Sequence, residues 1–234
     1  NHISFNSIYY MNLLYMCCSF NASITSYVIG MTTAIYLIYR NLYLDSAIGY
    51  FMLYIIQIQG LEALMWYDDK CTGINQFATK LAIVQNLFQP IVAFLIFYNF
   101  YSQNKLNSIK LIMLLFVIVL PIYFYFYIYQ KSDEKGFFCT LPSSEHNLTW
   151  NWTSSDFTKF GGWFWFIFCF ALIYPFFNVR SKTFSLIIGI YVTTTLLISG
   201  YLSPKTKATG SWWCLAAVLI PVIKILVPPN LLKN

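Results

Sequence analysis

"SAIGYFMLYIIQIQGLEALMW", residues 46 to 66, decides the class of this chain. It is a predominantly apolar run of about the 20 residues that a helix needs to cross the hydrocarbon layer of a bilayer. Apolar residues follow one another instead of alternating with polar ones. The run therefore reads as a membrane helix and not as a strand of a barrel. Three polar side chains interrupt it, Gln57, Gln59 and Glu62, and the acid needs an explanation. The rest of the sequence agrees with the class. Hydrophobic residues make up 59% and charged residues 9%, against about 25% charged in ordinary soluble domains. Mean hydropathy is +0.61. So little polar surface cannot cover a water-soluble sphere of this size.

The same window finds seven spans, at about 20–39, 46–66, 74–100, 109–129, 161–178, 183–202 and 211–227. The expected fold is an all-α bundle of seven transmembrane helices forming one domain, residues 1–234. A single long connection lies at about 130–160. Pro90, Pro121, Pro175 and Pro221 fall inside spans and predict kinks. A chain opening at Asn1 without Met reads as a mature product cut behind a signal peptide, or as a fragment.

Lys and Arg divide evenly between the two sides, so the charge rule alone does not orient the bundle. Acidic residues do not divide evenly. Asp68, Asp69, Asp133, Glu134, Glu145 and Asp156 share one side with the long loop, and only Asp45 lies opposite. The loop also holds the glycosylation triplets Asn147-Leu-Thr and Asn151-Trp-Thr, usable only on a lumenal surface. A third triplet begins at Asn21, near the outer end of the first span. Together these place the N-terminus and the long loop outside, in a secretory-pathway, cell-surface or viral membrane. Cys71, before the third span, and Cys139, in the loop, then share an oxidising side, and a disulfide between them is expected.

Glu62 and Lys80 lie well inside predicted spans, where a charge costs at least about 2.5 to 3.5 kcal/mol and usually finds a partner. Each is about five residues below its own outer boundary, some 7 to 8 Å down. Consecutive antiparallel helices are usually neighbours, so a Glu62–Lys80 pair is expected. Gln57, Gln59, Gln85, Gln89 and Lys224 continue the polar set downward, as a file through the bundle. Such side chains either line a path for an ion or small solute or simply hold helices together. Lys224 could also snorkel to the inner surface.

The stretch from Arg40 to Pro90 carries a further pattern: Arg40-Asn41, Asp45, Gln59, Glu62, Trp66, Cys71, Asn75 and Gln89-Pro90. With "HNLTW" at 146–150 and "GSWWC" at 210–214, it resembles a group of multi-span membrane proteins of giant DNA viruses and some algae. The likeness is clearest over about 20–100. That group has no established activity, so the resemblance implies a viral or protist setting and assigns no role to any residue.

Function classes narrow accordingly. The net charge of +6 is scattered among loops without a clustered basic face, which argues against a nucleic-acid partner. The two histidines lie outside the spans, and no zinc or nucleophile motif occurs, so neither an enzyme nor a bound cofactor is expected. A retinal protein would want its lysine nearer the middle of the last helix than Lys224. The leading expectation is a small channel or transporter built on Glu62 and Lys80. Alternatives are a structural membrane protein of a virion or organelle, and a seven-helix receptor, which the short inner loops disfavour. The bilayer is the one partner that all three share.

Overall fold

A computed structural model describes residues 19–42, 44–101, 128–143, 148–153, 182–206 and 209–227, with scattered positions at 119, 122, 125, 126, 168, 170–172, 174 and 176. The chain is mostly helical. Helix α1 is Phe20–Arg40, α2 Asp45–Ile55, α3 Gln57–Tyr67, α4 Gly73–Tyr101, α5 Lys182–Thr206 and α6 Thr209–Leu226. Among the described residues, three stretches are long and apolar enough to cross a membrane: Phe20–Arg40, Asp45–Tyr67 and Gly73–Phe97. In α5 and α6 the described apolar stretches, Thr183–Thr195 and Ala216–Leu226, are shorter. Most of the expected spans at 109–129 and 161–178 lies outside the described residues. The described positions within them are helical.

α1 begins where Ser19 Oγ accepts a hydrogen bond from the Ala22 N–H, satisfying one of the donors a helix start leaves open. Its buried stripe is built from small residues, Ser23, Ser26, Gly30 and Ala34, so that α2 and α3 can lie close against it. A Cβ on Gly49 would meet Ala34 O at 2.8 Å, and one on Gly30 would run into the Ile56 side chain. Glycine at these two positions sets the helix separation. Pro90 and Pro221 both sit inside continuous helices, α4 and α6.

The second of these stretches is two helices. The Gln59 N–H bonds Ile56 O, three residues back, at 2.9 Å, which tightens one turn and separates α2 from α3. Its apolar surroundings come from two clusters. Around α2, residues such as Ile48, Phe51 and Met52 pack with Phe97, Phe176, Phe184 and Ile220. Around α3, Ile58 and Met65 pack with Ala78, Ala82 and Ile83 of α4 and with Phe137, Leu148, Trp150 and Trp152 of the long connection.

The described part of that connection folds over one end of α3 and α4, as expected. It forms a two-stranded antiparallel hairpin, β1 Thr140–Pro142 and β2 Leu148–Trp150, with Thr140 opposite Trp150. The Cys71–Cys139 disulfide ties it to the α3–α4 turn, with the two Cα atoms 5.5 Å apart. We call this the hairpin end, and the end carrying the α1–α2 connection the turn end.

Candidate functional site: a buried ion cluster

Three helix ends meet at the turn end, and each carries the charge its own dipole favours. Arg40 is in the last turn of α1, Lys224 in the last turn of α6, and Asp45 in the first turn of α2. Cations at C-termini and an acid at an N-terminus are each individually stabilising. Bringing the ends together also pairs them. Arg40 Nε donates to Asp45 Oδ2 at 2.6 Å and Nη2 to Oδ1 at 3.0 Å, a two-pronged contact. Lys224 Nζ lies 2.5 Å from the same Oδ1. The Leu42 N–H donates to Oδ2 at 3.1 Å, so four donors occupy the carboxylate. Arg40 also reaches the end carbonyls of α6, at Lys224 O and Ile225 O. The Asp45 and Lys224 side chains have no exposed surface, while Arg40 keeps 18%.

The local backbone is bent to make this possible. Asn41 ends α1 in the left-handed region, φ 47°, with its N–H on Leu37 O, and Leu44 has φ 67°. A left-handed Leu costs about 1 to 2 kcal/mol. It persists here because Leu44 is wholly buried and because the Asp45 chelate pulls the chain back toward Arg40. Ser46 Oγ donates to Asn41 Oδ1 at 2.5 Å, closing the turn from the other side.

Midway along the bundle a second polar contact repairs the break at Ile56. Gln85 Nε2, from α4, donates to Tyr54 O at 2.7 Å and to Ile55 O at 3.2 Å. The Tyr54 hydroxyl returns a bond to Gln85 O at 2.8 Å. Gln57 Nε2 serves Leu53 O at 2.9 Å, and its Oε1 accepts from Tyr27 of α1. Carbonyls loosened at the break are thus answered by amide side chains, as apolar surroundings demand.

The residues of the expected polar file are accordingly dispersed. Gln57 faces α1, Gln85 clasps the break, and Gln89 Nε2 bonds Asn86 Oδ1 on its own helix. Glu62 is buried and accepts from Gln59 Nε2 at 2.9 Å. The expected Glu62–Lys80 pair does not form: no ion pair joins them among the described residues. Lys80 is exposed, with its ammonium 4.9 Å from the centre of the Phe138 ring. Equal depth fixes height but not direction. The neighbours Ala78, Thr79 and Ala82 take the buried face of α4, which turns Lys80 away from it. Lys224 also departs from expectation, since it joins Asp45 instead of continuing a file or snorkelling.

At the hairpin end, Asn75 is the hub. Wholly buried, it donates to Met65 O, Asp68 O and Thr140 O, and its Oδ1 accepts the Thr140 N–H at 3.0 Å. Asp68 caps the start of α4. Bonds from the Thr72 hydroxyl at 2.7 Å and the Asn75 N–H at 2.8 Å hold its carboxyl below the usual range. Of the glycosylation triplets, Asn21 is exposed in the first turn of α1, and Asn151 donates to Gly136 O at 3.1 Å. Asn147 lies outside the described residues.

No group of three or more His, Cys, Asp or Glu side chains placed to hold a metal occurs among the described residues. A cavity of about 20 Å³ beside α2 is lined only by apolar side chains, among them Phe51, Met52, Leu172, Phe176 and Ile220. No family model, curated protein or solved structure matches the chain.

Proposed function

We propose that the chain is a seven-span membrane protein, with its N-terminus and hairpin on the outer or lumenal side, that serves as a structural element of its membrane and not as a conduit. The reading rests chiefly on the Tyr54–Gln85 clamp. Amides at mid-depth that could line a path are instead turned onto carbonyls of a neighbouring helix. Bonds of this kind act as adhesive between membrane helices, typically worth about 0.6 to 2 kcal/mol each. The apolar cavity supports the same reading, because such a space stays dry. The resemblance at 20–100 suggests a virion or organelle membrane, and no catalytic role is assigned. Purified protein in liposomes should leave the flux of protons, sodium, potassium, chloride and small neutral solutes at background. A flux that scales with protein and changes in Gln85→Leu would overturn the proposal.

A second reading, transport, is favoured by one observation. Charges buried in membrane proteins often mark ion or proton routes, and Asp45–Lys224 is such a pair. Under this reading flux is present, and Lys224→Met alters it while Lys80→Met does not. Orientation has its own test. Glycosidase treatment of protein made in a eukaryotic secretory pathway should raise gel mobility through loss of sugar at Asn147, Asn151 or Asn21.

A further inference from the structure

Among the described residues, the ion cluster at the turn end is not electrically balanced. Arg40 and Lys224 bring two positive charges and Asp45 one negative, and the Asp45 carboxylate is already occupied by four donors. The ends of α1 and α6 contribute roughly half a negative charge each and the start of α2 roughly half a positive one. A positive excess therefore remains. Lys224 is sealed in, so among the described residues the excess is met at Arg40, whose side chain keeps 18% exposure and whose Nη1 has an N–H beyond its bond to Ile225 O. Arg40 is the last residue of α1, at the boundary of an apolar span. Beside it lie Tyr36, whose ring is 5.7 Å from the guanidinium carbon, and Tyr39, 87% exposed. Tyrosines placed so are the side chains that settle at the headgroup level of a bilayer.

We propose that Arg40, backed by Lys224, receives the phosphate of an anionic phospholipid at this end of the bundle. The proposal deepens the membrane reading above and rests on α1 spanning the bilayer. With the N-terminus outside, Arg40 meets the cytoplasmic leaflet, which carries the anionic lipids of a cell. A phosphate oxygen would take the guanidinium edge that Asp45 and the α6 carbonyls leave uncovered, while the acyl chains lie along the exposed side chains of Ile35 and Tyr36. Guanidinium is the side chain suited to such a contact, being planar, always charged and weakly hydrated.

The test uses the full chain in nanodiscs of phosphatidylcholine alone or mixed equally with phosphatidylglycerol. Failure of the chain to enter discs at all would count against the membrane reading itself. Once it is inserted, mass spectrometry of co-purified lipid and the thermal midpoint report this proposal separately. The expected result is anionic lipid enriched about five-fold, the preference one basic residue commands near a membrane surface, with a higher midpoint in the mixed discs. Lys224→Met leaves Arg40 and Asp45 as a balanced pair, and Arg40→Gln leaves Lys224 and Asp45 balanced. Both variants should fold and both should lose the enrichment, whereas Lys70→Gln at the hairpin end should keep it. Should either cluster variant fail to fold, the wild-type preference must still fade as salt rises from about 0.1 M to 1 M. Equal stability in both lipids, undiminished enrichment in Lys224→Met, or an equal loss in Lys70→Gln overturns the proposal. If inorganic phosphate in phosphatidylcholine discs protects as well as the lipid does, the site takes a free anion and the lipid assignment fails.

Discussion

Lys224 Nζ lies 2.5 Å from Asp45 Oδ1, across 179 positions of sequence, with neither side chain exposed. Because Arg40 shares the carboxylate, the two partners are not equivalent. Asp45→Asn strands the sealed Lys224 ammonium in apolar surroundings and leaves Arg40 without its partner, a loss of about 3 to 5 kcal/mol. Lys224→Met leaves Asp45 with Arg40 and should cost far less. Adding Lys224→Met to Asp45→Asn should recover much of the loss, because only Arg40 then remains and it can turn toward the surface. Thermal midpoints of the three variants in one detergent give the order, and additive losses would show that the residues act independently.

The clamp between Tyr54 and Gln85 is likewise unequal in its two directions. Gln85→Leu leaves Tyr54 O and Ile55 O, at the break, without the amide that serves them. An unserved buried carbonyl costs about 1 to 3 kcal/mol. Tyr54→Phe removes only an additional bond to a carbonyl inside α4 and should cost about 0.5 to 1.5 kcal/mol. Denaturation of both variants in matched micelles tests the order. Losses of equal size would mean that the break does not depend on Gln85.

Asp68 predicts an acid limb of stability. Thr72 and Asn75 bond its ionised form, so its carboxyl is depressed in the folded state. A depressed acid contributes stability that is present above its unfolded value of about 4 and is lost as pH falls through the lower folded one. The hairpin end should therefore loosen below about pH 4. In Asp68→Asn that pH dependence should be weaker, and the variant should be less stable at neutral pH. An unchanged acid limb in a midpoint-against-pH series would remove Asp68 as its source.

Much of this was readable from apolar length and position. The three helical stretches long enough to span follow from apolar runs of the right length, and the Cys71–Cys139 bridge from placing both residues on one side. The break at Ile56 carries no signature, since neither Gly nor Pro marks it. It depends on a glutamine from another helix, which is tertiary information. Glu62 and Lys80 were matched by height, but the faces they occupy are decided by which neighbours are small enough to pack. The Asp45–Lys224 pair did leave a trace. Asp45 was the lone acid on its side, and Lys224 was a basic side chain placed inside the last expected span near that same side. A span taken to begin at residue 46 leaves Asp45 outside the helix and conceals the match, because α2 begins at Asp45 itself.

The last prediction concerns how the hairpin is held. Of the restraints on it, the disulfide and Asn75 work in different states. The bridge closes a long loop and acts mainly by restricting the unfolded chain, typically by about 2 to 4 kcal/mol. Asn75 acts only in the folded state, where its amide spans the α3 end, Asp68 and Thr140. Reduction of Cys71–Cys139 should therefore lower the unfolding midpoint while leaving the hairpin docked, because Phe137, Leu148, Trp150 and Trp152 remain packed on α3 and α4. Asn75→Ala should do the reverse locally. With the bridge intact, it leaves the Met65, Asp68 and Thr140 carbonyls and the Thr140 N–H without their side-chain partner. Hydrogen exchange at Thr140 should then rise about tenfold for each ~1.4 kcal/mol lost, on the usual scale of about 1 to 3 kcal/mol per buried group left open. Exchange at Thr140 that responds to reduction but not to Asn75→Ala would show that the disulfide, and not the asparagine, seats the hairpin.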